Sequence, residues 1–414
     1  MYLQMCRELG LVPVSYYTRH CEEALLNFRH RGLGTQGVRA VCAALATNTV
    51  VYTLDLSDNW MGPQGLECVA QLLQYSHIGE LHLAQNNLGS AGAKLIGELL
   101  YNNPTHLKRL NIANNKFQDS DATHIAYGLD GNDRLISIDL SHNEFGVQAG
   151  KIFSNQIAVT TLEQVDMSWN HFRAAGAVAL ATAIKVTPIN HLNLAWNGFG
   201  EEGGILIGRS MLVNTALQYL DVSSNRIGVN GAIAIAKALE KNETLMTIKL
   251  AKNPITYEGS LALIRALAKN PVSPLKLLDL KDVYVPREFD TLCAQLKAIR
   301  EIQINYVCGD CHVKEISLKT RRITTTEERL NRARQIAVDN TLNLYQILDD
   351  LEEDVVSAIE FRNWLELYTQ MTKTLVPRVA CDELALCLST DGNIYKMEIL
   401  DLLDSSLAPE TTKP

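Results

Sequence analysis

At 414 residues the chain exceeds what one hydrophobic core ordinarily organises, so it holds either several domains or one elongated repeat array. Hydrophobic residues make up 47% and charged residues 20%, which excludes wholesale disorder. A formal net charge of -8 argues against general attraction to nucleic-acid phosphates or an anionic membrane, since both draw in basic proteins.

No apolar run approaches the roughly 20 residues needed to span a bilayer, and the opening MYLQMCRELG lacks a charged segment followed by an apolar one. The nine cysteines are odd in number and scattered. Cys42 and Cys68 fall inside apolar helical patterns, as reduced thiols acting as small hydrophobes would. A cytoplasmic protein is the expectation.

Residues 1–25 carry no repeat and are expected to form an N-terminal cap. A degenerate first unit follows, in which Leu26, Phe28, Leu33, Gly34 and Gly37 keep the later spacing while Arg31 stands where the other units have asparagine. The regular units then read LDLSDN from Leu54, LHLAQN from Leu81, LNIANN from Leu110 and IDLSHN from Ile138. They continue as VDMSWN from Val165, LNLAWN from Leu192, LDVSSN from Leu220 and IKLAKN from Ile248, spaced 27 to 29 residues apart. Each unit alternates apolar and exposed positions over a few residues, the pattern of a strand buried on one face. An apolar residue, usually a glycine, and a helical pattern such as Gly231 to Asn242 come next.

The asparagine explains the turn, because its short amide can bond backbone groups that would otherwise be buried unpaired. Strands stack about 4.8 Å apart while helices are about 10 Å wide. Strands on one side and helices on the other therefore force a curved solenoid over residues 26–306, about nine strand-bearing units between 26 and 283. Leu278-Asp279-Leu280 keeps the strand pattern, but Val283 replaces the asparagine, and Ile302-Gln303-Ile304 reads as a last capping strand.

Within each unit the middle residue of the L-x-L triplet points into the concavity. That line runs Asp55, His82, Asn111, Asp139, Asp166, Asn193, Asp221, Lys249 and Asp279. It admits two readings: an acidic ladder that receives a basic or hydroxyl-rich partner and speeds encounter, or a solvated residue type common in such repeats. Trp169 and Trp196 occupy the same place in successive units, about one strand spacing apart. They read either as exposed binding hot spots or as structural aromatics packed on each other and on the turn.

After about residue 306 the period disappears. Residues 307–325 read as a linker, 326–408 as a small all-α, EF-hand-like helical pair, and 409–414 as a disordered tail. Thr325 with Glu328 fits a capping box that starts a helix. Taking Asp349 as the first loop position places Glu353 fifth, Val356 eighth and Glu360 twelfth; a second loop has Asp391-Gly392 at five and six, Ile394 at eight and Glu398 at twelve. Leu344, Tyr345 and Leu348 before the first loop, with Phe361, Trp364, Leu365 and Tyr368 after it, give paired helices their apolar faces. Calcium needs six to eight oxygens, yet Leu351 and Cys387 stand where ligands belong. No cofactor is therefore expected, with Asp349, Glu353, Glu360, Asp391 and Glu398 the only calcium candidates.

Cys308-Gly309-Asp310-Cys311-His312 matches a haem-attachment string but has no haem domain around it, and a zinc site would lack a second ligand pair. No phosphate-cradling loop, nucleophile elbow or zincin motif occurs.

The period with a full helix per unit resembles the ribonuclease-inhibitor-type leucine-rich-repeat class, an α/β horseshoe that also includes the GTPase-activating protein of Ran. Cys6 to Arg19 leading into Arg29 to Leu45 and Leu54 to Gly65 is similar to the leucine-rich-repeat-containing protein family numbered seventy-four. That resemblance implies an interaction module that holds a protein partner, without a reaction of its own, and the net charge adds the expectation of no nucleic-acid or membrane partner. A GTPase activator is the alternative, although the long acidic tail of that family is not found here. A calcium-responsive adaptor is the third reading.

Overall fold

The computed structural model describes residues 2–102, 106–308, 326–340, 342–351, 354–371, 378–388, 393–396 and 399–400. The chain divides into two compact units, Met1–Cys308 and Gly309–Pro414.

The first unit opens with helices α1 (Tyr2–Glu8) and α2 (Ser15–His20) and then alternates strand and helix. In order these are β1 (Leu25–Asn27), α3 (Gly34–Leu45), β2 (Thr53–Asp55), α4 (Gly62–Leu73), β3 (Glu80–His82), α5 (Gly89–Tyr101), β4 (Arg109–Asn111), α6 (Ala122–Leu129), β5 (Ser137–Asp139) and α7 (Val147–Val159). They continue as β6 (Gln164–Asp166), α8 (Ala174–Ala183), β7 (His191–Asn193), α9 (Gly200–Met211), β8 (Tyr219–Asp221), α10 (Val229–Leu239), β9 (Thr247–Lys249), α11 (Thr256–Lys269), β10 (Leu277–Val285), α12 (Arg287–Ile299) and β11 (Gln303–Cys308).

The eleven strands lie in chain order in one parallel sheet. This is the leucine-rich-repeat architecture, with more strands than the expected nine units because both degenerate ends complete strands of their own. Register brings the central apolar residues into one buried column, Leu54 beside Leu81 and Leu81 beside Leu110. A second column stands two residues after each asparagine, where Phe117, Phe145, Phe172 and Phe199 are all buried. Each such side chain contributes roughly 1.5 to 3 kcal/mol of transfer free energy, so the repeats hold together through stacking on their neighbours.

The asparagine ladder is continuous. Asn86 Nδ2 donates to Leu83 O, Ala84 O and, in the preceding unit, Leu56 O, while its Oδ1 accepts from the Asn59 backbone N–H. Asn115, Asn143 and Asn253 repeat the pattern, while Asn170, Asn197 and Asn225 keep the Nδ2 bond to the preceding unit and accept from Phe145, Phe172 and Phe199 N–H instead. At the first unit Arg31 has only its backbone to offer, which donates to Asn59 Oδ1. At the last unit Val283 is buried in the asparagine's place, the left-handed residue before it persists as Asp282 at φ 62°, and β10 runs on for nine residues with an irregularity between Asp279 and Tyr284.

A second asparagine row, at the far end of the helices, escapes sequence reading. Asn214 Nδ2 donates to Ile184 O and Thr187 O while its Oδ1 accepts from Ala216 and Leu217 N–H. Asn48, Asn132 and Asn242 act likewise, and Asn270 Nδ2 donates to Leu239 O and Asn242 O. Near the N-terminus, Tyr17 stacks on Phe28 and on Tyr2, whose hydroxyl accepts from Val14 N–H.

The second unit contains α13 (Thr326–Asp339), α14 (Leu344–Asp349), α15 (Ala358–Met371) and α16 (Arg378–Leu388). Its core gathers Ile336, Leu348, Phe361, Leu365, Leu384 and Ile394. It is not purely helical as the sequence suggests, because β12 (Val355–Ser357) pairs antiparallel with β13 (Asn393–Tyr395), Val356 opposite Ile394. Two successive valines favour that extended stretch. Thr325 of the expected capping box and residues 309–312 of the Cys-x-x-Cys-His string lie outside the described residues.

Candidate functional site: the strand face of the repeats

Every regular strand is three residues long with its central residue buried, so its two outer residues face the same open side of the sheet. Two rows result. The second row holds the residues expected from the L-x-L triplets; the first, Thr53, Glu80, Arg109, Ser137, Gln164, His191, Tyr219 and Thr247, is not anticipated by the sequence reading although the same alternation places it there. Beyond them come only serine or alanine, from Ser57 to Ala251, which keeps the floor low.

The second row has a structural duty. Its carboxylate or amide oxygen accepts the backbone N–H two residues on: Asp55 from Ser57 at 2.8 Å, Asn111 from Ala113 at 2.9 Å, Asp139 from Ser141 at 2.9 Å. Asp166, Asn193, Asp221 and Asp279 do the same. Aspartate and asparagine serve equally because both present that oxygen.

What remains of each side chain pairs across strands. Asn111 Nδ2 donates to Asp139 Oδ2 at 2.8 Å and Asn193 Nδ2 to Asp166 Oδ2 at 2.7 Å. Lys249 Nζ lies 3.7 Å from Asp221 Oδ2, and His82 faces Glu80 within its own strand. Burial pushes the Asp139 carboxyl up despite its bonds from Ser141, and the nearby Asp166 charge adds to that.

The first row adds aromatics. His191 stacks on Tyr219 with centroids 3.8 Å apart and planes 5° from parallel, and Lys249 Nζ sits 5.2 Å from the Tyr219 centroid. Burial holds the imidazole of His191 below its ordinary value and lifts the Tyr219 hydroxyl above its own. For Lys249, burial acts downward, but the Tyr219 hydroxyl and the charges of Asp221 and Asp279 outweigh it and raise the ammonium.

Trp169 and Trp196 stand just before their asparagines with φ of 54° and 55°, in the left-handed region. Asp58, Gln85, Asn114, His142, Ser224 and Lys252 share that place and that backbone. A bulky side chain there costs on the order of 1 kcal/mol, a strain that persists where neighbours fix it. Here the backbone N–H of Trp169 donates to Ala195 O and that of Trp196 to Ser223 O. The two indoles stack at 4.0 Å and 11°, and His142 extends the stack onto Trp169 at 5.1 Å and 13°. They therefore pack on each other, and they also stay open to solvent, at 44% and 39% exposure.

In the second unit, Glu360 Oε2 accepts from Ser357 N–H and Oγ–H at the start of α15, bonds that hold its carboxyl below the usual range. Lys396 Nζ donates to the backbone carbonyls of Asp349 and Leu351, both at 3.0 Å. Glu353, Asp391 and Glu398 lie outside the described residues. Among the described residues no three His, Cys, Asp or Glu side chains gather as a metal site, and no helix is long and apolar enough to cross a membrane.

The parallel sheet, the asparagine ladder and the open strand face define a leucine-rich-repeat solenoid. Six stretches, residues 47–70, 76–97, 103–126, 160–181, 187–208 and 213–236, match the family described as Leucine Rich repeat. The chain is similar to leucine-rich repeat-containing protein 74B of Homo sapiens, 45% identical over 51 residues, and to that of Mus musculus, 47% identical over 51 residues. Each match covers 12% of this chain and 13% of the relative's length. Among solved structures it is similar to the yeast Rad7 and Elc1 complex, with 13% identity, a TM-score of 0.42 and coverage of 74% of this chain and 86% of that one. It is also similar to LegL7 of Legionella pneumophila, with 16% identity, a TM-score of 0.40 and coverage of 65% and 87%.

Proposed function

We propose that the chain is a non-enzymatic interaction module that holds a protein partner on the strand face of its first unit, with the Trp169–Trp196 edge as the principal contact. One observation carries the reading: two adjacent indoles are held in a strained backbone conformation and left about two-fifths exposed. Tryptophan is among the residues most enriched in binding hot spots, where truncation typically costs about 2 kcal/mol or more. The capped aspartates and asparagines of the second row fix the surface beside them, and the polar rim this makes suits a protein more than a small molecule. Proximity labelling followed by mass spectrometry, comparing wild type with the Trp169→Ala/Trp196→Ala double variant, tests it. A set of neighbours lost in the variant, with unfolding unchanged, is the expected result; loss of the fold itself would favour a purely structural stack.

For the second unit a separate reading has its own support. An EF-hand-like pair joins its two loops at the eighth positions, which is where Val356 and Ile394 pair. The ammonium of Lys396 bonds two carbonyls of the first loop, and the Glu360 carboxylate is engaged by Ser357. Of these, only the Glu360 carboxylate stands at a ligand position, and Leu351 brings no side-chain oxygen to the third, so the first loop does not fit calcium. The unit is accordingly read as a pair braced by its own lysine and independent of metal.

A further inference from the structure

The left-handed position before each ladder asparagine forms a column of rungs, and over five repeats it runs His142, Trp169, Trp196, Ser224, Lys252. The first three rungs stack ring on ring. The fourth does not, because Ser224 offers only a hydroxyl, and that oxygen is enclosed without a hydrogen-bond partner. From the fifth rung Lys252 reaches back across it and sets its Nζ 5.3 Å from the Trp196 ring centroid. Rungs follow the strand spacing of about 4.8 Å, so the place left by Ser224 is about one flat group thick.

We propose that this missing rung is the seat of an arginine side chain presented by the protein partner. Its guanidinium stacks on Trp196, donates to Ser224 Oγ and displaces the Lys252 ammonium that occupies the ring in the partner's absence. The inference rests on the strand face being the docking surface. An arginine fits the observations together: it is planar, carries donors in its plane and stacks on aromatic faces. A partner's phenyl ring would stack equally well but leave the Ser224 hydroxyl unpaired. Charge agrees, since Asp139 and Asp166 line the neighbouring row and Lys249 is already committed to Asp221.

Fluorescence anisotropy of the full chain with a labelled arginine–glycine peptide, against the same peptide carrying citrulline, tests the seat. Citrulline keeps the shape and removes the charge. The arginine probe is expected to bind about tenfold more tightly, within the range of a desolvated cation–π contact. Trp196→Asn should abolish that difference while keeping the backbone, since Asn114 holds the same φ region at this position. Lys252→Asn should tighten the arginine probe about threefold by removing its competitor. No binding of the arginine probe, equal binding of the citrulline probe, or weaker binding by Lys252→Asn would each overturn the inference, the last by showing that the lysine itself receives an acidic group. Capture in cells that depends on both tryptophans but shows no preference for arginine would sink this inference alone. Capture indifferent to both would sink the docking surface beneath it.

Discussion

The backbone N–H of Asn59 donates to Oδ1 of Asn86, one repeat on, at 3.0 Å, and the Asn86 amide returns bonds to carbonyls of both repeats. The link is fully buried. Asn86→Ala takes a partner from five backbone groups at once, the N–H of Asn59 and Met61 and the carbonyls of Leu56, Leu83 and Ala84. A loss on the order of 3 kcal/mol is expected in urea unfolding, since each unsatisfied buried group costs about 1 to 3 kcal/mol and some find other bonds. Asn86→Asp, which keeps the acceptor and loses the donors, should also destabilise; a neutral result would show that the ladder is incidental.

Helices α9 and α10 touch through glycine. A Cβ on Gly208 would meet the backbone of Ala234 well inside van der Waals contact. Gly208→Ala should therefore cost about 1 to 3 kcal/mol, as overpacking does, despite the better helix propensity of alanine. A rise in Tm would show that the two helices separate freely.

His191 gives a pH dependence with a definite sign. Its folded value lies below the ordinary one, chiefly through burial. The unfolded chain therefore takes up the proton first as pH falls through about 6.5, and stability present above that is lost toward the lower folded value. In thermal unfolding between about pH 7.5 and pH 5.5, wild type should lose stability more steeply on the acid side than His191→Gln. Comparing slopes sets aside the lost stack on Tyr219, and parallel slopes would contradict the burial account.

Lys396 bonds the carbonyls of Asp349 and Leu351 from far along the chain. Lys396→Met should loosen the second unit, seen as faster amide exchange at 349–351, 354–357 and 393–396. About 10 mM calcium, enough to fill even the weak extracellular class of site, should leave the wild type's exchange there unchanged. Calcium-induced protection in the wild type would contradict a pair independent of metal.

How much was legible follows from periodicity. The strand triplets and the asparagine turns announce themselves at intervals of 27 to 29 residues, and the parallel sheet follows from their stacking. Less visible was the second asparagine row, because Asn214 and Asn242 close helical patterns whose ends vary from repeat to repeat. The acidic line was found, but not its duty: that Asp139 and Asp166 hold backbone amides depends on side-chain rotation, which spacing does not encode. His191 over Tyr219 was missed because the first strand position varies freely in type and only register brings the two together. The lone serine between Trp196 and Lys252 acquires meaning only once Lys252 is seen to reach the Trp196 ring past it.

The central claim is that a protein partner sits on the strand face against the tryptophan edge. Hydrogen exchange on the complex with the most enriched captured partner tests it most directly. Protection is expected at residues 137–142, 164–169, 191–196, 219–224 and 247–252, with the convex helices unchanged. Protection confined to α7 through α11, with the strand segments exchanging as in the free chain, would contradict it.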